Sequence, residues 1–122
     1  MINHLTLKQP DDWHVHLRDD AALNTTVPAA ARYFGRSIIM PNLKTPVRTV
    51  NDALLYRQRI LQHRPKDSHW LPLMVLYLTD DTTKEDISAA KKSGFVQAMK
   101  YYPAGATTNS ASGVTKLERL DP

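Results

Sequence analysis

The sequence predicts an α/β chain of about four parallel strands with intervening helices. Three observations carry that reading. Apolar runs of strand length alternate with stripes of helical period. Prolines and glycines punctuate the boundaries between them. The residues with chemical character, His14, His16, Arg18, Asn42 and Lys100, fall at the carboxyl ends of the predicted strands, where α/β folds gather ligands.

Leu5 and Leu7, then Trp13, Val15 and Leu17, recur at period two and predict extended chain. A helix is expected over 24–34, with Pro28 in its first turn and Gly35 as its carboxyl-terminal cap. The short apolar run 37–40, stopped by Pro41, reads as a strand covered on both faces. Over 51–63, Leu54 and Leu61 with Ala53, Tyr56 and Ile60 form one apolar helical stripe, ended by Pro65. The run 70–78 is too short for a membrane and predicts a buried strand that Pro72 weakens only at its start. Thr82 with Glu85 predicts a capping box for a helix running to Lys92 and closed by Gly94. A fourth strand is expected over 95–101. Strand–helix alternation of this kind implies right-handed crossovers. The segment 103–113 has little to bury and is expected to be mobile, as a linker or as a lid over a site. Thr115 and Glu118 open a further capping box in the tail 114–122.

Composition excludes several classes. With no cysteine there is no disulfide framework, zinc–thiolate cluster or thiol nucleophile. No signal-peptide pattern opens the chain and no run is long enough to span a membrane, so a cytoplasmic protein without membrane partners is expected. The formal charge of +4 comes from scattered residues, Lys91–Lys92 being the densest pair, without interleaved aromatics. A nucleic-acid surface is therefore not expected, while a small anionic substrate suits the same sign.

On a strand, residues two apart share a face, so His14, His16 and Arg18 point together, away from Trp13, Val15 and Leu17. Two imidazoles on one face suit zinc; the plainer reading is a pair of ordinary polar positions. Lys100 ends an apolar strand and either snorkels to water or occupies a polar site, where a buried amine becomes nucleophilic and takes up carbon dioxide as a carbamate. Asn42 is a turn residue or a site residue, and Asp80 and Asp81 read as helix caps. His4, His63 and His69 lie away from the strand ends in question.

The run 10–19 (PDDWHVHLRD), the run 40–43 (MPNL) and the run 100–110 (KYYPAGATTNS) together resemble the dihydroorotases, of the short bacterial type that works in pyrimidine synthesis. The resemblance extends from about Leu5 to Thr115. It implies the amino-terminal half of a (β/α)8 TIM-type amidohydrolase barrel with a binuclear zinc centre. By that resemblance His14 and His16 hold one zinc, and Lys100, carboxylated, bridges both. Arg18 and Asn42 grip the substrate carboxylate, and Thr107 and Thr108 belong to the loop that closes over it. The implied reaction is the reversible conversion of N-carbamoyl-L-aspartate to dihydroorotate.

The family's remaining zinc histidines and its catalytic aspartate have no counterpart in these 122 residues, so no catalytic residue is identified. A full barrel needs ~250 residues. The expectation is thus one partial amidohydrolase domain over 1–122 with a truncated tail, inactive or weak by itself. The alternative is a non-catalytic zinc- or anion-binding half barrel that needs a partner chain, a homo-oligomer included, because unpaired sheet edges invite association.

Overall fold

The computed structural model describes residues 3–116 and Glu118, so of the tail only 117 and 119–122 lie outside the described residues; Thr115, expected to open a capping box with Glu118, instead binds Asp80 through its N–H and hydroxyl. Four strands, β1 (Asp12–Val15), β2 (Arg36–Ile39), β3 (Leu71–Tyr77) and β4 (Val96–Lys100), pair in the order β1-β2-β3-β4, every pairing parallel. Between them run α1 (Leu23–Tyr33), α2 (Val50–Gln62) and α3 (Lys84–Ser93). The predicted α/β alternation of four parallel strands and three helices is the one observed.

Alternation along the strands divides the sheet into two faces. Ile39, Met74 and Leu76 turn into one core with Val27, Tyr56, Ile60 and Ala90 from the helices. The opposite face carries Ile38, Val75 and Ala98 and, towards the carboxyl ends, His14, Met40 and Lys100, around a shallow hollow of about 280 Å³. Trp70 anchors the covered face, its indole N–H donating to Ser37 Oγ at 2.8 Å. That bond lets two buried polar groups satisfy each other.

Several local expectations are corrected. Leu5 and Leu7 precede β1 and are exposed outside the sheet, and among the described residues β1 pairs on one side only. Trp13 is likewise exposed, lying against the Arg36 guanidinium rather than under a helix. Pro28 sits within α1, one turn later than predicted, because a 3-10 turn (Asp20–Ala22) feeds directly into the helix at Leu23. Phe34, in extended conformation, ends α1 in place of Gly35. Gly35 instead receives the Leu71 N–H on its carbonyl and donates its own N–H to Pro10, joining the amino ends of the sheet.

In α2 the buried stripe is Ala53, Tyr56 and Ile60, while Leu54 is exposed, so the apolar face is narrower than the pattern implied. The capping box of α3 is Thr83 with Asp86, one residue beyond Thr82 with Glu85. Thr82 Oγ1 is already taken by the Thr79 N–H at 2.9 Å. Gly94 closes α3 in the left-handed conformation (φ 74), as expected of a glycine there.

Candidate functional site

The carboxyl ends of β1, β2 and β4 bring the sequence-predicted residues into one neighbourhood. His14 is the penultimate residue of β1 and His16 lies just beyond its end, so both rings face the same way. Their Nε2 atoms stand 3.2 Å apart. Two nitrogen ligands of one tetrahedral zinc, each at the usual bond length, would be separated by roughly 3.3 Å. The spacing is that of an N–H···N hydrogen bond between the rings and is equally compatible with both as ligands of one cation. Among the described residues no three His, Cys, Asp or Glu side chains cluster, so the pair is a partial donor set to which Lys100 adds a ligand only in its anionic, carboxylated form.

The protonation state favours that fit. Burial first, then the charges of Lys100 and Arg18 and the neighbouring His14, push the His16 imidazole down to about 4. His16 is therefore neutral near pH 7, the form that offers a lone pair to a metal. Burial, followed by the Arg18 charge, also lowers Lys100 below the ordinary lysine range. That shift raises the fraction of free amine, the species that reacts with carbon dioxide.

Lys100 ends β4 and reaches across the sheet. Its Nζ donates to Asn42 Oδ1 at 3.0 Å, lies 3.4 Å from Met40 Sδ, and stands 5.2 Å from the centre of the Tyr102 ring. Asn42, 1% exposed, follows β2 through Met40 and Pro41. Its Nδ2 donates to the main-chain carbonyl of Thr108 at 3.0 Å. Neither end of this side chain is spare, so it is more than a turn residue.

Arg18 adopts φ 63 and Asp20 φ 52, two left-handed residues flanking an extended Asp19, a turn that is unfavourable for non-glycine residues. Neighbouring elements hold it in place. The Tyr56 hydroxyl donates to the Arg18 carbonyl, and Thr26 Oγ1 donates to the Leu17 carbonyl at 2.8 Å. Arg59 makes a two-pronged contact with Asp19, at 2.9 Å through Nε and 2.6 Å through Nη2. Burial acts to raise the Asp19 carboxyl, but the Arg59 hydrogen bond and the Asp20 N–H outweigh it and hold Asp19 below the usual carboxylate range. Burial pushes the Tyr56 hydroxyl well above its ordinary value, so it remains a donor.

Tyr56, Arg59 and Asp19 were not singled out as site residues from the sequence. Tyr56 read as core, and its hydroxyl partner lies 38 residues away. A tyrosine in an otherwise aliphatic stripe is the one available hint, because a buried hydroxyl needs a partner.

The 103–114 loop is tied at both ends. Pro103 bridges Val114, and the Ala104 N–H donates to the Val114 carbonyl at 3.1 Å. Ser110, 1% exposed, binds the Thr107 N–H and carbonyl through its hydroxyl, and its carbonyl receives the N–H groups of Gly105 and Gly113. Thr107 and Thr108 are exposed; of the two, Thr108 touches Asn42, and it does so through its backbone. Asp80 caps no helix and instead receives the N–H and hydroxyl of Thr115 at 2.9 and 2.6 Å. Asp81 pairs loosely with Arg48 at 3.9 Å.

No protein-family model matches the chain. Individual relatives do. The chain is 63% identical over 122 residues to a dihydroorotase of Ectopseudomonas mendocina, covering 100% of this chain and 35% of that protein. It is 64% identical over 120 residues to a dihydroorotase of Stutzerimonas stutzeri, with 98% and 35% covered. Among solved structures, a dihydroorotase from Campylobacter jejuni superposes with a TM-score of 0.84 and 40% identity, covering 95% of this chain and 34% of that one. A Saccharomyces cerevisiae dihydroorotase in complex with 5-fluoroorotic acid gives 0.76 and 36%, covering 86% and 28%. The chain spans about a third of the length of the curated relatives it matches. By sequence and by fold, it is related to the dihydroorotases and corresponds to their amino-terminal part.

Proposed function

We propose that the chain supplies part of the metal and substrate site of a zinc-dependent dihydroorotase, a cyclic-amide hydrolase that reversibly converts N-carbamoyl-L-aspartate to dihydroorotate in cytoplasmic pyrimidine biosynthesis. The observation that carries this is the His14–His16 pair, set at a spacing that suits one zinc and backed by the cationic Arg18 and Lys100. In this reading His14, His16 and a carboxylated Lys100 would hold the zinc centre. Bound metal supplies polarisation of an amide carbonyl and activation of water at neutral pH.

The chain's own residues bind and orient. Arg18, on its propped turn, presents a guanidinium suited to a carboxylate. Asn42 adds an amide donor, and Thr107 and Thr108 sit on the loop above. The relative solved with 5-fluoroorotic acid, a pyrimidine carboxylate, supports an anionic ring ligand of this size. By itself the chain is expected to turn over little, since the family's aspartate and remaining histidines are not among its residues.

The test is a chimera in which this chain replaces the matching part of the Ectopseudomonas mendocina relative. The chimera is expected to hydrolyse dihydroorotate. Within it, K100A is expected to lose more than the ~100-fold that groups merely supporting a ligand cost. A folded chimera without activity contradicts the reading.

A second reading, a zinc- or anion-binding half barrel completed by a partner chain, draws on the sheet order. β1 and β4 are its outer strands and each pairs on one side only among the described residues. A hollow of about 410 Å³ runs beside β4, between Ile87, Ala90 and Val96. Native mass spectrometry separates the readings: a zinc-free monomer excludes this second one.

A further inference from the structure

We propose that Asn42 is the latch of the 103–114 loop, fastening it to the sheet through Lys100. The loop's internal bonds run through Ser110, and its base is held by the Pro103–Val114 bridge and by Thr115 on Asp80. The Tyr77 hydroxyl at the end of β3 also reaches the Ser110 and Tyr102 carbonyls, at 3.4 and 3.5 Å, but none of these contacts holds the loop's outer part at Thr108. The Asn42 Nδ2 bond to the Thr108 carbonyl does, joining residues 66 apart in sequence at 3.0 Å. The other end of the same amide is occupied by Lys100 Nζ, so the carboxamide is held in one orientation: oxygen towards the lysine, nitrogen towards the loop. A buried amide with both ends engaged resists rotation, because turning it would leave a cation facing N–H groups and a carbonyl facing oxygen.

One consequence follows for the site. Asn42 is 1% exposed in this arrangement, so a carboxylate reaches its N–H groups only after Thr108 lifts away. The Asn42–Thr108 bond and a ligand on Asn42 compete for the same amide, so the loop closes over a bound ligand through other contacts; this consequence rests on the proposed function, whereas the latch itself does not.

The test is amide hydrogen exchange on the metal-free, substrate-free chain, so its failure is separate from any failure of the proposed reaction. N42D retains an acceptor for Lys100 and removes the donor to Thr108. Exchange at the Thr107 and Gly113 amides is expected to quicken about five- to tenfold, the worth of one hydrogen bond, with Met74 and Leu76 in β3 unchanged. Loop amides that exchange at the wild-type rate overturn the latch, as does equal quickening in β3. Should N42D fail to fold, the wild-type carboxamide protons decide. Protons of Asn42 protected from exchange and close to Thr108 support the latch. Protons exchanging as freely as those of exposed Asn51 overturn it.

Discussion

The Lys100 ammonium stands 3.0 Å from Asn42 Oδ1, spanning from the end of β4 to the loop after β2 across β3. This bond places a cation on the open face of the sheet, within reach of His16, whose protonation it opposes.

K100Q removes that cation. The His16 imidazole is expected to rise from about 4 towards its ordinary value without reaching it, because burial is the larger cause and stays. Titrating the imidazole by NMR in metal-free chain reads this directly. A His16 value unmoved by K100Q would show that the lysine charge is screened from it.

The turn carrying Arg18 is predicted to depend on α2. Y56F deletes the hydroxyl that satisfies the Arg18 carbonyl and should lower unfolding stability by about 1 kcal/mol in a urea titration. Asp19 adds a pH dependence. Its folded-state pKa lies below the usual carboxylate value, so its contribution is present above about pH 4 and is lost as pH falls through the folded-state value. D19N should remove that part of the acid limb; an identical acid profile in D19N argues that the Arg59 contact contributes nothing.

Gly113 is required by close approach rather than by backbone angle. A Cβ there would meet the Tyr102 carbonyl oxygen at 2.2 Å and the Tyr77 hydroxyl at 2.8 Å. G113A is expected to cost more than the ~1 kcal/mol of a typical substitution and to quicken exchange at Ala104 and Gly105. G94A serves as the contrast. Its site has open space but φ 74, so its cost is limited to roughly 1 kcal/mol of left-handed strain.

How far the sequence reaches is clear from these residues. Strand and helix identities were legible because Pro41, Pro65 and Gly94 break the chain where periodicity changes. His14, His16 and Lys100 stood out because polar groups at the ends of apolar strands need a reason. What failed was decided by tertiary contact. Thr82 with Glu85 fits the capping-box pattern, but the Thr79 N–H occupies Thr82, and Thr83 with Asp86 caps the helix instead. Trp13 and Leu54 match the apolar pattern but stand where no second layer covers them. The partners of Tyr56 and Asn42 lie 38 and 66 residues away, beyond the reach of any local pattern.

A zinc titration of the chain followed through its imidazole signals tests the central claim most directly. The histidine pair predicts that His14 and His16 respond together, at one stoichiometry, while His4, His63 and His69 stay unchanged, and that H14A abolishes the response of His16. Zinc that shifts His63 or His69 and leaves His14 and His16 untouched would contradict it.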